Sequence, residues 1–239
     1  MLAYTWLEAK AQFRNRDNLM WRLGLPAGVY VLLTLVDDET SGNNTGRMVA
    51  MAAFGAVAAG LFATGPSLAQ ERASGWLRQL RTTPMQPGAA VVAKVIVAMA
   101  WVLPSIALVA VMGILLTDIA LDPRDWTELI GLMWIGSAPF AALGVLIGLA
   151  IPDAGAAHTA TNFAFIVLWL LGGIFQPAAD MPDVLAAISR KLPSSGILEI
   201  GESVADGTSI PGSAPALIVA WAAVAGALAT LSWRRLGRR

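Results

Sequence analysis

Few residues in this 239-residue chain are suited to bond-making chemistry. It has no cysteine and one histidine, His158. Disulfides, thiolate metal sites and cysteine nucleophiles are therefore excluded, and no multi-histidine metal site can form. A phosphate-cradling P-loop needs a Gly-Lys pair before Ser or Thr. The lysines are Lys10, Lys94 and Lys191, and they follow alanine, alanine and arginine. The chain thus has no ATP-binding loop of that kind, and it reads as no enzyme. A serine hydrolase would need a positioned base, which a single histidine at the edge of an apolar stretch supplies poorly. His158 lies close in sequence to Asp153, but an ordinary polar turn explains that pair better than a proton relay.

The composition explains this poverty. Apolar residues make up 56% of the chain and charged residues 13%, with a mean hydropathy of +0.65. Soluble domains carry about 25% charged and about 45–50% apolar residues. This is a membrane protein, which argues against a soluble enzyme, a nucleic-acid binder and a disordered chain. Sixteen basic residues balance sixteen acidic ones, so net charge names no partner.

A spanning helix needs about 20 apolar residues, since about 30 Å of hydrocarbon is crossed at about 1.5 Å per residue. Six stretches qualify: Leu19–Val36, Met48–Ala69, Val95–Thr117, Leu129–Ile151, Thr159–Gln176 and Ile210–Trp233. The fold class expected is an all-α membrane protein with six transmembrane helices over 19–239. With the N-terminus inside, the cytoplasmic basic residues are Lys10, Arg14, Arg16, Arg22, Arg72, Arg78, Arg81, Lys94, Arg234, Arg235, Arg238 and Arg239. Arg47, Arg124, Arg190 and Lys191 stay outside. Basic residues favour the cytoplasmic side, so both termini are expected there.

Residues 1–18 read as an amphipathic interfacial helix. Leu2, Trp6, Ala9 and Phe13 fall within about 60° of one another at helical spacing, and Lys10 and Arg14 can meet lipid phosphates. The connection Gln70–Lys94 is the largest cytoplasmic segment. Glu71 to Arg81 has helical character, with Trp76, Leu77 and Leu80 on one side, until Pro84 and Pro87 end it. It reads as a docking helix for a cytoplasmic partner. The external loop, Pro177–Ser209, holds two short helical pieces, one from Pro182 to Leu192 and one over Ile197–Val204.

Inside the spans the polar residues are mild: Thr64, Ser67, Ser105, Ser137, Thr161 and Asn162. Hydrogen bonding between helices accounts for them at low cost. Gly144 and Gly148 form a small-xxx-small pair suited to close helix packing. Asn162, Phe165 and Trp169 could line a path for an amphipathic substrate. No acid sits mid-span, which weighs against a carrier driven by an ion gradient. A membrane sensor or scaffold is the other reading the residues leave open.

Three stretches resemble the membrane-spanning permease subunits of type-2 ABC exporters: FRNRDNLMWRLGLP, ERASGWLRQLRTTPMQPGAAVVAK and GGIFQPAADMPDVLAAISRKLP. The second is the most specific, with an acid, a glycine, then leucine, arginine, two threonines and proline, and a lysine opening the third span. The resemblance implies a plasma-membrane efflux permease, in bacteria, that pairs with a second permease subunit as a homo- or heterodimer. Two ATP-binding subunits would bind ATP and Mg; this chain would hold no cofactor. The segment after span two would couple to them, a role falling on Glu71, Gly75, Leu80, Arg81, Thr82, Thr83 and Pro84, with Trp76 and Arg78 beside them. Spans two and five would face the translocation path, which adds Phe54 and Thr64 to the path residues. The apolar spans favour a hydrophobic or amphipathic substrate such as a drug or lipid.

Overall fold

A computed structural model describes residues 16–36, 44–75, 87–117 and 119–236. They contain nine α-helices. These are α1 (Arg16–Val36), α2 (Asn44–Ala73), α3 (Pro87–Leu116), α4 (Pro123–Gly136), α5 (Ala138–Ala150), α6 (Ala154–Leu171), α7 (Asp183–Ser189), α8 (Pro193–Ala205) and α9 (Ser213–Leu236). The stretch expected to form an interfacial helix lies outside the described residues, apart from its last positions, where α1 begins.

Five helical stretches are long and apolar enough to cross a membrane: α2, most of α3, α4 with α5, α6, and α9. The first expected span coincides with α1, whose described apolar part, Gly24–Leu35, is shorter. The protein is therefore a multi-pass, all-helical membrane protein.

The helices do not contribute equally to the core. Of the most apolar stretch in α2, 89% is buried within the protein, against 17% in α6 and 22% in α9. Helix α2 is the central post, touching α1, α3, α5, α6 and α8. Its residues suit that position, because alanine and glycine dominate and let neighbouring backbones approach closely. The outward apolar side chains of α6 and α9, such as Phe163, Ile166, Val219 and Leu228, are exposed and suit contact with lipid.

The expected fourth span, Leu129–Ile151, is not one helix. It divides at Ser137 into α4 and α5. The cause is Pro139, which lacks an N–H and cannot close the i→i−4 bond, so the chain restarts with proline in the first turn of α5. Ser137 Oγ donates to the Trp134 carbonyl at 2.6 Å, beside its own N–H at 3.1 Å. The two halves keep different company, α4 packing on α8 and α3 while α5 packs on α2, α9 and α3.

Side-chain hydrogen bonds tie helices together at several points. Trp134 Nε1 donates to the Met99 carbonyl at 2.7 Å, in α3 shortly before Pro104. Tyr30, fully buried in α1, shares a hydrogen bond of 3.1 Å with Thr117 Oγ1 just past α3. The connection from α6 to α9 is well built: α7 follows Pro182, and α8 packs on α9, α4 and α2. Trp221 Nε1 on α9 donates to the Lys191 carbonyl at 2.8 Å and pins the turn between α7 and α8.

Candidate functional site

Helix α6 starts at Asp153, whose side chain accepts the Ala156 N–H at 2.7 Å as an N-cap. From there His158, Asn162, Phe165 and Trp169 recur at the spacing of one helix face. That face looks onto α2, where Phe54 and Phe62 stand two turns apart. Phe165 meets Phe54 edge-on with ring centres 5.1 Å apart, and it meets Phe62 at 5.8 Å. Trp169 lies 5.7 Å from Phe54 and stacks on Phe165 at 6.4 Å. Phe175, beyond the end of α6, meets Trp169 at 5.2 Å, and His158 closes the other end against Phe62 at 5.9 Å.

The result is a ladder of rings along the α2–α6 contact. Edge-to-face geometry at these distances is favourable because the positive edge of one ring meets the negative face of the next. The ladder brings together three of the expected path residues, Phe54, Phe165 and Trp169. Asn162 shares the α6 face and donates Nδ2 to the His158 carbonyl at 3.0 Å. Thr64 does not join them. Its hydroxyl donates to the Ala141 carbonyl at 3.1 Å and to the Gly60 carbonyl at 3.3 Å, so it serves the α2–α5 contact instead.

Phe62, His158 and Phe175 belong to the ladder but were not singled out as path residues. The spacing of His158 with Phe165 and Trp169 was the available signal. The partner ring on another helix was not readable from it.

The indole Nε1 of Trp169 is buried with no hydrogen-bond partner among the described residues. An unsatisfied buried donor costs about 1–3 kcal/mol. Chemically, the ladder can therefore hold an apolar or aromatic group by stacking and dispersion, and it has one donor in reserve for an oxygen or nitrogen acceptor.

The second candidate region is the junction of α2 with α3. Glu71 and Arg72 lie in the last turn of α2, which continues past Ala69 to Ala73. Gly75 then takes φ +79°, a left-handed conformation that glycine adopts without steric penalty. Helical character running unbroken from Glu71 to Arg81 is thus ruled out at Gly75. Trp76, Arg78, Leu80, Arg81, Thr82, Thr83 and Pro84 lie outside the described residues. Pro87 begins α3 rather than ending a helix, and Lys94 lies well inside α3.

Lys94 Nζ donates to Glu71 Oε1 at 2.8 Å, with Lys94 only 2% exposed and Glu71 20% exposed. Arg72 Nη1 donates to the Leu149 carbonyl at 2.6 Å, at the C-terminal turn of α5. The sequence marks Lys94 as the lysine that opens the third span and counts Arg72 among the cytoplasmic basic residues. Nothing in the spacing of residues 71 and 94 marks them as a pair.

At the α8 end of the molecule, Glu202 has its carboxyl raised above the ordinary 4.5, first by burial and then by the negative charges of Asp206 and Glu199. Among the described residues no group of three or more His, Asp or Glu could hold a metal ion.

A family model described as "ABC-2 type transporter" matches residues 1–201. The Bacillus subtilis (strain 168) protein named "Putative transport permease YvfS" is 30% identical over 193 residues, covering 78% of this chain and 78% of its own length. With four-fifths of its length matched and a helical, multi-pass membrane structure, the chain belongs to the ABC-2 type transporter family.

Proposed function

We propose that the chain is the permease subunit of an ATP-driven exporter, and that it moves a hydrophobic or amphipathic molecule along the α2–α6 face. The observation that carries this reading is the aromatic ladder from His158 to Phe175 in a chain of this family. In this reading the chain crosses a bacterial inner membrane six times, α1 being the first crossing. Both termini, Glu71 and Lys94 are cytoplasmic, and α7 and α8 cap the outer side.

ATP and Mg belong to a separate subunit, because no Gly-Lys pair precedes a Ser or Thr anywhere in the sequence. Two such subunits serve a pair of permeases, identical or different. They dock on the segment around Trp76, Arg78 and Arg81, and their closure shifts the permease between inward- and outward-accessible packings. Nucleotide moves that equilibrium only as far as it binds the two states differently. The rings offer the substrate stacking surface, and the Trp169 indole N–H offers it one hydrogen bond.

The test is purification of the tagged chain in mild detergent followed by an ATPase assay, with and without Trp76→Ala and Arg81→Ala. An ATP-hydrolysing subunit should co-purify with the unaltered chain and be lost from both variants. Preparations that retain no ATPase while the chain still carries a substrate down an ion gradient would replace this reading with a secondary carrier. A partner that binds with no transport at all would replace it with a sensor.

A further inference from the structure

Arg190 and Lys191 are two of the four basic residues outside the set expected on the cytoplasmic side, where basic residues generally collect. Both are exposed, and they form the turn between α7 and α8. Among the described residues neither makes an ion pair. The helix before them is as unusual. Beside the buried Ala186 and Ser189, α7 exposes Val184 at 72%, Ile188 at 43% and Leu185 at 37%. A helix in water gains nothing from presenting three neighbouring aliphatic side chains.

Two other helices fix the depth of this turn. The apolar stretch of α9 begins at Ser213, and Trp221 lies eight residues further on, or about 12 Å along the axis. That stretch has 23 residues, about 35 Å, against about 30 Å of hydrocarbon. The Trp221 indole donates to the Lys191 carbonyl at 2.8 Å. With the indole leaning back toward the start of its helix, the turn sits about 5–10 Å below the hydrocarbon boundary, the depth of an interfacial amphipathic helix. Helix α6 agrees. Its 18 residues span about 27 Å, short of a full crossing, and the Ser194 hydroxyl of α8 fills the place that a Cβ on Gly172 would take just past its end.

The backbone of the turn suits surroundings poor in water. The N–H groups of Arg190, Lys191 and Leu192 donate to the Ala186, Ile188 and Ser189 carbonyls at 3.2, 2.9 and 2.9 Å. The Lys191 carbonyl takes the indole, and the Leu192 carbonyl takes Ser195 Oγ at 2.8 Å. A turn in water can leave such groups to the solvent, whereas in lipid the protein must meet them itself.

We infer that the α7–α8 turn is immersed in the lipid interface, with the aliphatic face of α7 among acyl chains and Arg190 and Lys191 on the phosphate of an anionic lipid. Long basic side chains reach headgroups from this depth while their stems stay in apolar surroundings. The lipid-facing surface is continuous here, since Val219 and Val224 flank Trp221 on α9 and are exposed. The nearest acids in sequence, Asp183 and Glu199, each stand more than one turn away along their helices. The contact depends on the membrane fold alone; the transport reading only names the leaflet.

The chain has no native cysteine, so a fluorophore on Val184→Cys reports from one place. The full chain is placed in vesicles of phosphatidylcholine with a minority of phosphatidylglycerol, and bromine is carried on the acyl chains of one lipid or the other. Brominated chains should quench the label, with phosphatidylglycerol at least about fivefold more effective per molecule, the enrichment that one basic residue gives at a lipid surface. Arg190→Gln with Lys191→Gln should bring the two lipids level while quenching persists, and Arg190→Lys should keep most of the preference. Ile188→Cys supplies a second reporter if Val184→Cys does not fold.

Absence of quenching at both positions overturns the placement, and energy transfer between labelled chains would then identify a second copy on this face. Equal quenching by the two lipids with the basic pair intact overturns the anionic contact, as does a preference that survives in the double variant. Loss of the preference on adding inorganic phosphate would make the turn a site for the free ion, and overturns the lipid contact.

Discussion

Against α5, helix α2 presents Gly60, Thr64 and Gly65; against α6 it presents Phe54 and Phe62. At the first contact glycines on both helices bring the backbones close, with Phe140, Thr64 and Leu68 filling in beside them. A Cβ on Gly60 would lie 2.9 Å from that of Phe140, and Gly144 and Gly148 bring the α5 backbone to that of α2. The Thr64 hydroxyl bridges to the Ala141 carbonyl. The second contact is spaced by rings whose centres are 5.1–5.8 Å apart. Near the start of α6 this spacing closes, since a Cβ on Gly65 would stand 2.5 Å from Thr161 Oγ1. One helix thus holds one neighbour by backbone contact, which has a single good arrangement, and another by rings, which stay in contact through many tilts. The lesson is one of packing: α2 meets α5 backbone to backbone and meets α6 through rings, with Thr161 as the one close point on α6.

The substitution expected to do most damage is Gly144→Leu. A side chain there must displace the Leu61 carbonyl and Thr64, and overpacking a close contact costs about 1–3 kcal/mol or more. We expect a large fall in thermal midpoint in detergent and loss of a single peak on size exclusion. Gly131→Ala in α4 is the matched control, since nothing lies within 4 Å of the added carbon and helix propensity favours alanine. Equal damage in both would mean that the α2–α5 contact is not special.

Phe165→Ala comes next. It removes edge-to-face contacts with Phe54 and Phe62 and a stack on Trp169, each worth about 0.5–1.5 kcal/mol. Because the three contacts share one ring, we expect a loss of about 1.5–2 kcal/mol, smaller than for Gly144→Leu, with the chain still folded. Phe165→Leu should recover less stability than Phe165→Tyr, because ring geometry rather than volume holds the face. Equal recovery by both would reduce the ladder to ordinary packing.

How much of this contrast could be read in advance follows from what hydropathy measures. Apolar runs mark a helix as able to cross a membrane, and they do so for α2, α3, α6 and α9. They cannot tell lipid from protein as the apolar neighbour. Mean hydropathy is 1.8 for α2 and 1.4 for α6, yet one is almost wholly enclosed and the other mostly faces outward. The better sign was composition, since the alanines and glycines of α2 suit close packing while the large side chains Phe163 and Ile166 of α6 do not. Phe165 and Trp169 were legible as a face by their spacing; Phe62 was not, because its role depends on which helix lies opposite. The Thr64 bond to the Ala141 carbonyl was not legible for the same reason. Pro139 was visible in a run that reads as one apolar span, but only the company kept by α4 and α5 shows that the break separates two partners. The Glu71–Lys94 pair joins residues far apart in sequence, and no local pattern announces it.

Thr64→Val sharpens the comparison at smaller scale. The substitution keeps the shape and removes the bonds to the Ala141 and Gly60 carbonyls. Hydrogen bonds between membrane helices average about 0.6 kcal/mol, so the loss should be near that value and well below that of Gly144→Leu. Chemical denaturation in mixed micelles can resolve it. A loss as large as that of Gly144→Leu would mean that hydrogen bonding, not backbone proximity, holds α5 to α2.

The smallest effect concerns a third neighbour of α2. Helix α8 meets it where a Cβ on Gly201 would stand 2.6 Å from Val49 Cγ1. The next residue, Glu202, has its carboxyl raised above 4.5 by burial, with Asp206 and Glu199 adding repulsion. The folded state therefore holds a proton that the unfolded chain has already released. Stability from this group is present at acid pH and is lost as pH climbs through the folded value. Glu202→Gln keeps the neutral form at every pH. At pH 7 the variant should melt slightly above wild type, and the two should converge as pH falls toward 4.5. The effect is small because the side chain is only partly buried and water screens it. Melting curves across that range check the sign. A variant that melts below wild type at pH 7 would show a cation holding the carboxylate charged, and α8 would then be fastened to the bundle by an ion pair rather than by packing against Val49 and Met133.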